Sequence, residues 1–163
     1  MTAPEWVEVV WVAADTWRMD GRPVREIQLE REHKFESLVG AFMQRDFAAI
    51  DEAVRSDVVA EMPGSSWLAG TQRGHEALGR QVAALRQVLR PSDSPNTYVH
   101  EGDQMTVGHQ TQVMGPQHQV EMTLQLRIRF DADGKIASSV LVPEDLGLFD
   151  HVVNSTLRHL QLH

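Results

Sequence analysis

Two side chains combine proton-transfer chemistry with a setting that could use it. Glu61 lies in the run Asp57-Val58-Val59-Ala60-Glu61-Met62, a short stretch of β-formers stopped by Pro63-Gly64. Burial disfavours the charged form of a carboxyl and raises its pKa, so a glutamate on a buried strand could act as acid or base near neutral pH. His109 lies in a second β-rich run, Met105 to Met114. An inward imidazole could hold a substrate carbonyl or share a proton with Glu61. Each residue has a plain structural alternative: an outward glutamate on an edge strand, and a histidine bonded inside a core. Tyr98, His100 and Trp67 are candidates for the mouth of the same interior.

Missing residue types narrow the chemistry further. The chain contains no cysteine, which removes disulfides, thiolate nucleophiles and cysteine-based metal sites together. The remaining histidines, His33, His75, His118, His151, His159 and His163, have no ligand spacing, so neither a metal nor a cofactor is expected. Glu144-Asp145 has the look of a catalytic pair, yet Asp145 stands where it would cap a following helix. A formal charge of −8 repels a phosphate backbone, so nucleic acid is not an expected partner. There is no run of eighteen apolar residues, and Met1-Thr2-Ala3-Pro4-Glu5 lacks the basic-then-apolar order of a secretion signal. A cytoplasmic protein with no membrane partner is expected.

The elements that must position these groups can be read from periodicity. At 163 residues, with 42% hydrophobic and 23% charged, the chain suits one ordinary domain. Residues 1–30 form an N-terminal extension holding Trp6, Trp11 and Trp17. There Glu5 to Val12 and Val24 to Leu29, with the Asp20-Gly21 turn signal before the second run, predict a hairpin. The domain proper spans 31–163. Phe35, Leu38, Val39, Phe42 and Met43 make one apolar helical face, Asp46 caps a short helix around Ile50, and Leu78, Val82, Leu85 and Leu89 line a third helix. Four runs then predict an antiparallel meander: Tyr98 to His100, Met105 to Met114, Val120 to Phe130 and Ile136 to Val142. Met122, Leu124, Leu126, Ile128 and Phe130 alternate with Glu121, Thr123, Gln125, Arg127 and Arg129, so one face is buried. If Leu124 and Leu126 face inward, Val107, His109, Thr111 and Val113 form the matching inward set. A register slip of one residue would substitute Gly108 and Gln110. A last helix follows Asp145.

The order of these elements is that of a cone-shaped α+β barrel, and local motifs sharpen the comparison. Asp57 to Gly64, then Leu68-Ala69-Gly70-Thr71-Gln72-Arg73-Gly74, resembles the strand and loop of the NTF2-like superfamily, and most of all its SnoaL-like polyketide cyclases. Asp133-Gly134-Lys135-Ile136 and Val142-Pro143-Glu144-Asp145 before a helix are similar to the end of that family. The resemblance covers residues 33–160. It implies the NTF2-like, cystatin-like α+β barrel: a curved antiparallel sheet wrapped around helices, enclosing a cavity. It also implies a homodimer.

The resemblance further implies site positions. Two residues before Pro63, where Glu61 stands, the similar limonene epoxide hydrolases carry a water-holding asparagine and SnoaL-like proteins often a histidine. His109 stands where the epoxide hydrolases have a catalytic carboxylate. Leu141 occupies a position at which both groups present an aspartate, so the epoxide-opening set is not visible. Val59, Trp67, Leu85, Tyr98, His100, Thr111, Leu124, Leu126, Ser139 and Leu141 are the expected lining for an apolar small-molecule substrate. The leading expectation is a cyclase needing no cofactor, closing a ring on a polyketide-like intermediate. A shaped pocket can contribute on the order of 7–11 kcal/mol, which suits a concerted closure such as a [4+2] cycloaddition, with Glu61 or His109 polarising a carbonyl. The alternative is an acid–base dehydratase, isomerase or aldol-type cyclase with Glu61 as base, worth about 10²–10⁴-fold. A non-catalytic small-molecule-binding module is the third reading.

Overall fold

The computed structural model describes residues 18, 19, 21–117 and 119–161. The chain divides into two compact units, residues 1–37 and 38–163, and the first helix, α1 (Val24–Gln44), contributes to both. In the first unit, β1 (Arg18–Met19) pairs antiparallel with β2 (Arg22–Pro23) around Gly21, whose φ of 76° a glycine adopts without steric cost. The expected turn is therefore present. The expected strand Val24 to Leu29 is instead the start of α1, which corrects the hairpin prediction for those residues. Arg25 to Glu32 is a run of good helix formers apart from Ile27. The Arg22 guanidinium also reaches Glu26 at 2.9 Å and Glu30 at 2.7 Å, tying together successive helical turns. The tryptophan-rich run Glu5 to Val12 lies outside the described residues.

In the second unit, α2 (Phe47–Ala53) is capped as the sequence predicts, with the Ala49 amide donating to the Asp46 carboxylate at 3.1 Å. Then follow β3 (Val54–Met62), β4 (Gly70–Arg73), α3 (Gly74–Val88), β5 (Leu89–Pro91), β6 (Thr97–Glu101), β7 (Gln104–Met114), β8 (Gln119–Phe130), β9 (Ile136–Pro143) and α4 (Leu146–Gln161). The strands form a curved, unclosed seven-stranded sheet in the order β4-β3-β9-β8-β7-β5. β6 pairs with the other half of β7. The meander from β6 to β9 is antiparallel as expected, whereas β3 joins β9 in parallel.

Alternation sets the two faces of this sheet. Val58, Ala60 and Met62 of β3 are buried while Asp57 and Glu61 are exposed; Met122, Leu124, Ile128 and Phe130 are buried while Glu121, Gln125, Arg127 and Arg129 are exposed. The register of β8 on β9 turns on the Asp131–Lys135 connection. There the Asp131 carboxylate accepts from the Asp133 and Lys135 amides, and a bulge follows as Arg129 pairs with Ser138 but Phe130 with Ile136. At one end of the concave face, Phe149, Val152 and Val153 of α4, each 0% exposed, pack with Val88, Val113, Met122 and Leu124. Fully burying side chains of this size contributes roughly 1.5–3 kcal/mol each. The Asp145 cap holds the start of α4 through the Leu148 amide at 3.0 Å.

Candidate functional site

Cross-strand pairing collects the inward side chains into rows. Tyr98, Val107, Leu126 and Leu141 share one row, since Tyr98 pairs with Val107, Val107 with Leu126 and Leu126 with Leu141. His109, Leu124 and Pro143 form the row on one side of it, and His100, Met105, Ile128, Ser139 and Ala60 the row on the other. Val107, His109, Thr111 and Val113 therefore share the face of Leu124 and Leu126, and Gly108 and Gln110 lie on the other. Within these rows Tyr98, His100, His109, Leu126 and Ser139 stay half-buried, whereas Val107, Met105, Ile128 and Ala60 are buried.

His109 is the polar group whose surroundings prepare it for chemistry. Its Nδ1 stands 2.7 Å from the Asn96 side-chain oxygen. A carbonyl oxygen only accepts, so Nδ1–H is the donor and the proton of a neutral ring resides there. Nε2 then carries the lone pair, and it bonds to no described residue. Burial pushes the imidazole below its usual pKa, because a charged ring is poorly solvated among apolar neighbours. A neutral imidazole with a fixed tautomer and a free Nε2 has the chemistry to accept a proton. Asn96, in the loop before β6, was not legible from the sequence, because nothing local marks a loop asparagine as the partner of a residue thirteen positions on.

Glu61 is placed differently from the expectation. It is exposed, on the outward face of β3, where it is level with Val140 of β9 and Thr71 of β4. The physical reason is period two: with Val58, Ala60 and Met62 committed to the core, Glu61 must face outward. Val59, half-buried, shares that outward face and does not line the interior. Leu124 and Leu141 belong to the packed apolar cluster, and Trp67, Leu85 and Leu126 lie against it. Thr111 faces inward but donates its hydroxyl hydrogen to the Arg90 carbonyl at 3.0 Å.

Trp67 is held by the loop between β3 and β4. Its indole Nε1 donates to the Val153 carbonyl at 3.0 Å and its amide to the Asn154 side chain at 3.1 Å. Two residues earlier, the Ser65 amide donates to the Asp150 carboxylate at 2.9 Å. Gly64 allows that approach: with φ at 103°, an added Cβ would meet the Asp150 oxygens at 2.5 and 2.8 Å.

A concavity of about 490 Å³ opens on the outer face of the sheet among Arg90, Gln110, Gln112, Glu121, Thr123 and Glu144. It is polar and of mixed charge, and His109 does not line it. Among the described residues, no group of acidic and histidine side chains is arranged to hold a metal ion. None of the described helices is long and apolar enough to cross a membrane.

The profile of the SnoaL-like domain family matches residues 35–139, nearly two-thirds of the chain. The chain belongs to the SnoaL-like domain family. This SnoaL-like domain is similar to an NTF2-like protein from Burkholderia xenovorans, with 21% identity and a TM-score of 0.66 over 77% of this chain and 97% of that one. It is also similar to TerC, a structure obtained with polyporic acid, at 20% identity and a TM-score of 0.60 over 77% and 98% of the two chains. A candidate SnoaL-like polyketide cyclase from Mesorhizobium loti follows at 16% identity and a TM-score of 0.52, over 73% and 97%. No match was found among curated protein sequences. These likenesses show the NTF2-like, cystatin-like fold.

Proposed function

We propose that this SnoaL-like domain is an acid–base cyclase acting on an apolar, polyketide-like small molecule, with His109 as the base. The observation that carries the reading is the Asn96–His109 pair, which leaves a neutral imidazole with its Nε2 lone pair on the concave face beside Leu124. His109 Nε2 takes a proton from the carbon between two carbonyls. The resulting enolate carbon attacks a third carbonyl farther along the same molecule, forming the ring bond. The alkoxide produced recovers the proton from Nε2–H, so the product is an isomer of the substrate. Proton transfer of this kind is worth about 10²–10⁴-fold. The small-molecule ligand of TerC and the family of the Mesorhizobium protein support the substrate class.

Leu141 favours a second reading. A leucine where related cyclases present an aspartate leaves the row Tyr98, Val107, Leu126 and Leu141 mainly apolar, which suits a concerted closure directed by shape. One experiment separates the two. Linear poly-β-ketone thioester analogues are incubated with the protein, and ring-closed product is followed by mass spectrometry across pH. Acid–base closure predicts an acid limb in the pH–rate profile that disappears in His109→Gln. A flat profile with equal rates in both proteins would favour the concerted route, and no product above buffer would remove the cyclase reading.

A further inference from the structure

We infer that Gln81 is a specificity-determining residue of the proposed site, its side-chain amide donating a hydrogen bond to the carbonyl oxygen of the bound substrate. The inference rests on the cyclase reading and deepens it. Gln81 interrupts an apolar stripe on α3: Ala77 and Leu78 one turn before it are buried, Val88 after it is buried, and Ala84 and Leu85 pack against the core cluster. Its Nε2 is buried and has no partner among the described residues. An amide donor removed from water and left unpaired costs stability, so such a group calls for an explanation in function or in a missing ligand.

The topology says where Gln81 stands on its helix. α3 starts directly after Arg73, at the β4 edge of the sheet, and ends at Leu89, which pairs with Val113 of β7 near the other edge. The helix thus crosses from one side of the sheet to the other, and Gln81 is on its middle turn. The strands between those edges are β3, on which the helix packs, then β9 and β8; β9 and β8 carry Ser139, Leu141, Leu126 and Leu124 on the inward face, and His109 of the adjacent β7 is level with Leu124. A donor on the helix that crosses this face and a base on the face itself are the two groups that enolate formation requires. One removes the proton from carbon, and the other stabilises the negative charge arriving on oxygen. A carbonyl ligand would also satisfy the orphan donor, so the binding of carbonyl compounds is favoured over hydrocarbons of equal shape.

The test uses two probes of similar shape, benzoylacetone and butylbenzene, titrated calorimetrically into the full chain and into Gln81→Met. The expected result is that Gln81→Met weakens benzoylacetone about tenfold, which is about 1.4 kcal/mol, and leaves butylbenzene within a factor of two. Without ligand, Gln81→Met melts a few degrees higher, because the unpaired donor is gone. Gln81→Leu, which keeps the approximate size and removes the N–H donors, gives the same selective loss and covers the case in which the methionine variant does not fold. Equal losses for both probes, or none for either, overturn the assignment of Gln81 and leave the His109 reading to stand on its own pH profile. Failure of both probes to bind the unaltered protein overturns the Gln81 assignment and the shared site together.

Discussion

The Nδ1 of His109 on β7 and the side-chain oxygen of Asn96, in the loop before β6, stand 2.7 Å apart. The bond is side chain to side chain between a strand and the loop that precedes its neighbour. It therefore fixes which ring nitrogen carries the proton, which ring position in the strand alone could not do. Asn96→Ala releases that choice of tautomer, whereas Asn96→Asp replaces a neutral acceptor by an anion and favours the imidazolium. Ring closure is expected to fall about 10²-fold or more in His109→Gln and less in Asn96→Ala. Asn96→Asp is expected to move the acid limb of the pH–rate profile upward. A profile unchanged in all three would exclude the pair from the mechanism.

Stability carries the same signature. Burial holds the His109 pKa below its usual value of about 6.5, so on acidification the unfolded chain takes up this proton before the folded chain does. Stability from this group is present above about pH 6.5 and is lost as pH falls through the folded value. Urea unfolding at several pH values should show a steeper loss below pH 6.5 in the unaltered protein than in His109→Gln. Parallel curves would contradict the burial of the ring.

Glu61 provides the opposite expectation. Because it is exposed on the outward face of β3, Glu61→Gln should leave ring closure within a factor of two and stability within about 0.5 kcal/mol. A loss of turnover comparable to that of His109→Gln would return this carboxylate to the site.

The approach of Gly64 to Asp150 predicts a glycine that tolerates no side chain. Gly64→Ala places a methyl group against the carboxylate at a φ of 103°, and should cost about 1–3 kcal/mol of strain, read by chemical denaturation. Asp150→Ala removes the acceptor for the Ser65 amide and should also destabilise. The double variant should be less than additive, because the steric clash needs both groups.

Asp145 tests a cap against a catalytic role. Its carboxylate accepts from the Leu148 amide, so Asp145→Ala should lower stability by about 0.5–2 kcal/mol, while Asp145→Ser retains most of it. Rates measured well below the melting transition should match the unaltered protein in both variants.

The division between what was legible and what was not follows from the range of each interaction. Period-two alternation is local, and it set Leu124 with Leu126 and His109 with Thr111; that the two sets share a face rested on the β7–β8 register, where a slip of one residue stayed open until the folded chain paired His109 with Leu124. The Asp46 and Asp145 caps are likewise bonds across three residues, written in the order of side chains. The same local logic misread Val24 to Leu29, where β-formers and helix formers mix and ion pairs from Arg22 favour the helix. Glu61 shows the other limit. Alternation alone would have turned it outward once Val58, Ala60 and Met62 were known to be core, but which of two alternating sets is core depends on what packs against the strand. The Asn96 bond to His109, the meeting of Ser65 with Asp150 across 85 residues, and the burial of the Gln81 amide on α3 exist only in the folded chain. Each joins groups whose separation in sequence has no periodicity, so only the tertiary structure could bring them together.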